Sequence, residues 1–296
     1  MMGTLNNAVR LLAKRPSILV MTIILSTIAG IAETLFITLF YGISMFKTGS
    51  PFDAYINIIQ FLVGAMLVPQ TAAIVILVLV ILVVATALIF GLLLSGYFNM
   101  LNNAVQDRAK KEGSEFMAGV KKYFLRMISL NLWTLSIIIL FVIYAFIASI
   151  PAAIFLDNAF SGAINVFAGI LLSVITLLVL FFSFAFLRQY LVFWYPSALT
   201  YDRNHFKIAK KISDKNFWTL LSKFIIFDIT LLIFDSIYVI ANFSLANAQI
   251  VSGATTSILL IINIIFKTVF IALQVCFVFY SFNRCNDKYK ALSKAK

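Results

Sequence analysis

Charged residues are scarce in this chain. Asp, Glu, Lys and Arg together make up 11% of its 296 residues, where a water-soluble domain carries roughly 25%. A water-facing surface of ordinary extent is therefore excluded, and lipid is the remaining solvent. Histidine occurs once, at His205, and cysteine twice, at Cys276 and Cys285. One imidazole and two distant thiols cannot build a clustered His/Cys zinc site, so neither a metal nor a cofactor is expected. The two cysteines stand nine positions apart in one predicted helix, about 13 Å along its axis, which is too far for a disulfide between them. The chain has no Gly-rich phosphate loop, no His-Glu-x-x-His, no Gly-x-Ser-x-Gly and no Cys-x-x-Cys, so no catalytic constellation and no enzyme is expected. Broken helices with Gly and Pro at matching positions, the mark of transporters, are weak here too; only Pro69, Pro151 and Pro196 qualify, and all are read as lying at span ends.

What fills the space is apolar. Hydrophobic residues reach 62%, with 30 Phe and a mean hydropathy of +1.04. About 20 consecutive apolar residues cross the hydrocarbon core as a helix, and six stretches qualify, at about 17–46, 70–98, 124–150, 164–195, 218–245 and 255–282. The sequence thus predicts an all-α polytopic bundle forming one transmembrane domain over 1–296. The third span is taken to close at Pro151 and the fourth at Pro196. The first run, Ser17 to Phe46, is too long for a cleavable signal and offers no small-residue cleavage site.

The connections alternate in charge. Twenty of the 23 Lys and Arg lie in or beside the N-terminus, the 99–123 and 199–217 loops, or the C-terminus, and Lys47, Arg188 and Lys267 are the exceptions. Positive loops stay cytoplasmic, which predicts a multi-pass cell-membrane protein with both termini inside. The net charge of +12 then reflects topology and contact with anionic lipid, not nucleic acid. Lys110, Lys111, Lys121, Lys122, Lys207, Lys210 and Lys211 are the expected head-group contacts. Residues 52–69 are apolar but short, with Asp53, Asn57 and Gln60 near helical spacing, and read as an interfacial or re-entrant helix on the outer side. A seventh span there would place the basic loops on opposite sides.

Three basic amphipathic stretches precede the three pairs of spans: Leu5 to Arg15, Phe116 to Arg126 and Phe206 to Lys215. Apolar residues recur at three and four positions with cations on the other face, as an interfacial helix requires. A threefold repeat of about 100 residues is one reading; the common geometry of helices entering a membrane is the other. Gly96-Tyr97-Phe98-Asn99-Met100 leading to Phe116-Met117-Ala118-Gly119-Val120-Lys121-Lys122, and Phe193-Trp194-Tyr195-Pro196 leading to Ala209-Lys210-Lys211 and Asn216-Phe217-Trp218, carry a resemblance. The chain resembles the membrane domain attached to some glycerophosphoryl diester phosphodiesterases, and related small six-span prokaryotic membrane proteins. That resemblance implies a six-span prokaryotic membrane protein with a connection to lipids. The phosphodiesterase domain and its acidic metal ligands have no counterpart in these motifs, so its activity is not implied.

Charges inside hydrocarbon cost about 2.5–3.5 kcal/mol each on insertion scales, and so need a partner or a task. Glu33, Arg188, Asp228, Asp235 and Lys267 are the candidates, with Asn263 beside Lys267 on one helical face. Counted from the cytoplasmic ends, Arg188 and Asp228 fall in the cytoplasmic half, whereas Glu33, Asp235 and Lys267 share a level near 25 Å. Asp228, Asp235 and Asn242 repeat every seven residues on one face. Antiparallel neighbours should bring that face against Asn263, Lys267 and Gln274, pairing Asp235 with Lys267 and placing Glu33 nearby. His205 reads as a solvated interfacial residue. Trp133, Trp194, Trp218, Tyr97, Tyr123, Tyr190, Tyr195 and Tyr201 read as an aromatic belt. Two functions follow as expectations: a non-enzymatic protein that binds or organises lipid or assists a membrane-protein partner, and a small-solute or ion transporter or channel using the charge layer.

Overall fold

The structure is a computed structural model that describes residues 2–45, 64, 67–108, 114–160, 162, 165–247 and 253–294. These residues form helices and connecting turns, with no strand among them. In chain order the helices are α1 (Met2–Lys14), α2 (Pro16–Met45), α3 (Pro69–Val105), α4 (Glu115–Phe160), α5 (Val166–Leu191), α6 (Trp194–Thr200), α7 (His205–Lys215), α8 (Phe217–Asn247) and α9 (Gly253–Lys294). Helices are what lipid demands, because hydrocarbon offers no partner for an open backbone N–H or C=O. Six of them are long and apolar enough to cross a membrane, over Pro16–Leu35, Pro69–Val105, Glu115–Leu156, Val166–Thr200, Phe217–Asn242 and Thr255–Tyr289. The protein is an all-α polytopic helix bundle. The interfacial or re-entrant reading of 52–69 falls almost wholly outside the described residues.

Three local expectations change. Pro151 does not close the third span, because α4 continues through it to Phe160. A membrane helix tolerates a proline where neighbouring groups re-satisfy the freed carbonyl. Pro196 does not end a helix either; it sits in the first turn of the short α6, where the backbone N–H it lacks would have no helical partner. The 116–126 stretch is the opening of α4 itself, whereas α1 and α7 are separate amphipathic helices.

The chain divides into two compact units. The first comprises 1–41, 92–127 and 189–296. Its core is aromatic: Tyr97, Phe193, Phe224, Phe277, Phe279 and Phe282 are fully buried. Phe193 meets Phe282 and Phe224 edge-on at 5.6 and 6.5 Å between ring centres, the geometry that ring quadrupoles favour. Tyr97 and Tyr123 are core residues, not members of an interfacial belt. The Tyr97 hydroxyl shares a hydrogen bond with Thr22 Oγ1 at 2.9 Å, and Tyr123 donates to the Leu199 carbonyl at 3.4 Å. A phenol inside needs such a partner, since an unbonded one pays its full desolvation. Trp133 and Trp218 stay largely exposed, as belt residues do.

Polar ties join the basic segments at one end of this unit. Arg15 pairs with Glu115 at 3.1 Å and donates to the Arg108 carbonyl. Arg126 donates to the Ala198 and Tyr201 carbonyls and pairs with Asp202 at 3.0 Å. A cation on the carbonyls of the last turn and C-cap of α6 satisfies groups the helix leaves open. Tyr201 donates to Asn286 Oδ1 at 2.5 Å, and α1 packs along α9.

The second unit comprises 42–91 and 128–188. Here Gly91 lies under Ile128, Asn131 Nδ2 reaches the Ala87 carbonyl at 3.4 Å, and Phe141 meets Phe184 at 5.8 Å. Its outward surface is a run of exposed Ile, Leu and Val from Ile74 to Leu82, a composition suited to acyl chains and not to water.

Candidate functional site

Two constellations stand out, both within the first unit. The first is the intramembrane cluster. Glu33 on α2, Asp235 on α8, and Asn263 and Lys267 on α9 are brought together. Lys267 Nζ makes its close contact with Glu33 Oε2, and the same oxygen accepts from Asn263 Nδ2 at 2.7 Å. Asp235 Oδ1 lies 3.8 Å from Lys267 Nζ, within electrostatic range but beyond a hydrogen bond. The primary partner of Lys267 is therefore Glu33, with Asp235 second. Beside them Thr34 Oγ1 shares a hydrogen bond with the Tyr238 hydroxyl at 2.9 Å, and Phe234 stacks flat on Phe266 at 3.5 Å. Asn242 spends its amide on the Tyr238 carbonyl of its own helix.

The other predicted intramembrane residues are not part of that cluster. Asp228 is buried on α8, two turns before Asp235, and Arg188 is buried near the end of α5 in the second unit. Of the predicted head-group contacts, Lys121 and Lys122 are exposed on α4, and Lys207, Lys210 and Lys211 are exposed on α7, whose opposite face buries Ala209, Ile212 and Ser213. Lys122 Nζ stands 5.0 Å over the Tyr123 ring. Lys110 and Lys111 lie outside the described residues. His205 departs from the solvated expectation: its ring packs at 4.4 Å against Phe206, and its Nδ1 is shut off from solvent without a hydrogen-bond partner. Burial, with the nearby Arg126 cation second, holds its pKa below the usual imidazole range.

The second constellation was not read from the sequence. An open cavity of about 420 Å³ is lined by residues of α1, the start of α8 and the end of α9. Lys223, Arg284 and Lys288 line it together with Asn7, Asn216 and Thr219, and no carboxylate is among its lining residues. Two helical registers build it. Thr219 and Lys223 stand four positions apart on α8, with Asn216 just before its first residue, and Ser281, Arg284 and Lys288 recur at three and four positions on α9. Three cations with hydroxyl and amide donors and no acid in the lining have the chemistry that would suit an anion bearing several oxygens. Its level suits a lipid head group, because 216–223 opens one span and 280–288 closes another. The signal available in sequence was the shared face of Ser281, Arg284 and Lys288. The missing part was α1, whose Asn7 completes the wall only after packing on α9. No family model matches the chain, and neither a curated protein nor a solved structure does.

Proposed function

We propose that this protein is a non-enzymatic, multi-pass protein of the cell membrane that binds anionic lipid on the cytoplasmic side. The observation that carries this reading is the acid-free cavity lined by Lys223, Arg284 and Lys288. Its volume falls in the range of small-ligand sites, roughly 300–1,000 Å³. Its cations would face the phosphate, while Asn7, Asn216, Thr219 and Ser281 offer hydrogen bonds to the remaining head-group oxygens. The exposed Lys121, Lys122, Lys207, Lys210 and Lys211 would add long-range attraction to the same leaflet. Cytoplasmic placement of this end rests on the lysine-rich loops. The resemblance to the membrane domains of glycerophosphoryl diester phosphodiesterases belongs to this proposal and points to lipid as well. Assistance to a membrane partner is compatible with a lipid-binding role.

The test is lipid retention. Wild-type protein and the triple variant Lys223→Gln, Arg284→Gln, Lys288→Gln are purified from the same membranes, and bound phospholipid is quantified by native mass spectrometry. At about 1 kcal/mol per cation near a charged surface, the triple change should weaken binding roughly a hundredfold at low salt. Replacing Lys121 and Lys122 instead should cost far less, since they stand apart from the cavity. Equal anionic lipid on wild type and triple variant would overturn the proposal. The second reading, ion or small-solute transport, is supported by the intramembrane cluster, which carries more acid than base.

A further inference from the structure

Glu33, Asp235 and Lys267 place two carboxylates and one amine against each other deep inside the membrane. Glu33 is about 17 residues from the start of α2 and Asp235 about 18 from the start of α8, roughly 25 Å along each axis. Fully ionised, the cluster would hold one unbalanced negative charge. Hydrocarbon makes an unbalanced charge costly, and a carboxylate escapes that cost by taking up a proton. The other charged residues of α8 and α9 do not cancel it: the nearest along the chain, Asp228, is itself an acid two turns away. The groups facing the cluster from the three helices are Glu33 and Thr34 on α2, Asp235 and Tyr238 on α8, and Asn263, Lys267 and Thr268 on α9. Of these, Thr34 and Tyr238 bond each other, and Thr268 bonds Ser26.

The hydrogen bonds say which acid carries the proton. Glu33 Oε2 takes both Lys267 Nζ and Asn263 Nδ2, so both of these donors are spent on Glu33. Asp235 has only the amine at 3.8 Å, and its Oδ1 is buried without a hydrogen bond. A third group points the same way. Asn263 is fully buried, and with Nδ2 committed to Glu33 its Oδ1 is left as an acceptor with no donor. The cluster thus has a negative charge to spare, and one proton balances it.

We propose that these four residues form a proton-binding site that holds one proton per chain, on Asp235. The proton arrives from water and leaves to water, with no bond to carbon made or broken. It is a site for the simplest transported ion, and it is independent of the lipid cavity, so either can fail alone.

Dicyclohexylcarbodiimide tests it, because the reagent partitions into apolar regions and consumes the proton of a carboxylic acid. That proton moves to a carbodiimide nitrogen while the carboxylate oxygen bonds to the central carbon. Purified full-length protein is labelled at about pH 6 and about pH 9, on either side of neutrality, and adducts are mapped by peptide mass spectrometry. Wild type should carry one adduct, on Asp235, at least several-fold weaker at the higher pH. The number of adducts should follow acids minus bases: Asp235→Asn and Glu33→Gln should each remove labelling, since one acid then pairs with Lys267, and Lys267→Met should yield two. Any variant that loses its monodisperse elution is left out of the count, and the wild-type pH dependence then carries the test. No wild-type adduct on Asp235 at the lower pH, or labelling of Asp235 that persists unchanged in Glu33→Gln, would overturn the proposal.

Discussion

Lys267 shows how much one side chain can organise inside a membrane. Its amine faces Glu33 first and Asp235 second, so its removal leaves two half-buried acids without a cation. Breaking a buried pair by deleting one partner costs about 3–5 kcal/mol, and a drop of that order is expected for Lys267→Met in thermal unfolding in detergent. The order of partners makes a finer prediction. Adding Glu33→Gln should restore more stability than adding Asp235→Asn, because Glu33 holds the closer contact; the reverse ranking would contradict the geometry. The sequence made this cluster legible, since Glu33, Asp235 and Lys267 share a depth and intramembrane charges must be neutralised. The ranking of the two acids was not legible. It depends on side-chain reach and on how far each helix is rotated, and a seven-residue spacing fixes neither. The basic cavity was hidden for a related reason: Arg284 and Lys288 look like ordinary members of a basic tail until packing sets them in one wall with Lys223 and Asn7.

Among the elements, the crossing of α3 and α4 depends on glycine. A Cβ on Gly119 would lie 2.6 Å from the Ser95 carbonyl oxygen and 2.5 Å from Asn99 Cβ. The carbonyl is backbone and cannot swing aside, so the helices would have to part. Asn99 would then loosen from the Glu115 carbonyl, to which its Nδ2 donates at 2.9 Å. Overpacking of this kind costs about 1–3 kcal/mol, and Gly119→Ala should lower the melting temperature accordingly; an unchanged melting curve would mean the crossing can slide. Small residues where membrane helices approach are a general device. The six spans themselves were legible because length and apolarity determine them. The corrections fell at Pro151 and Pro196, where proline's effect depends on its position within a helix. A bare sequence does not say whether a proline stands in a first turn or an interior one.

Across the whole molecule the open question is orientation. The four lysine-rich segments belong to the first unit, and Arg15, Arg126 and Tyr201 tie them to one another. With Cys276 and Cys285 replaced, a single cysteine at Asn204 should be shielded from an impermeant thiol reagent in intact cells. One at Ser161 should react. Labelling of Asn204 from outside would reverse the proposed cytoplasmic placement, and with it the leaflet of the lipid cavity.

The packing of α1 on α9 has a consequence in time as well as in space. Domains form as the ribosome delivers them, and the second unit has its whole chain once residue 188 is made. The first unit is assembled from three separated stretches, and α1 packs on α9, which follows it in the chain by seven intervening described helices. During synthesis α1 therefore stands without its native neighbour until α9 has been made. Its amphipathic character lets it wait at the lipid surface, apolar face down and Arg10 and Lys14 in water. The helix α1 is thus a delayed fastener, docking only once α9 has emerged.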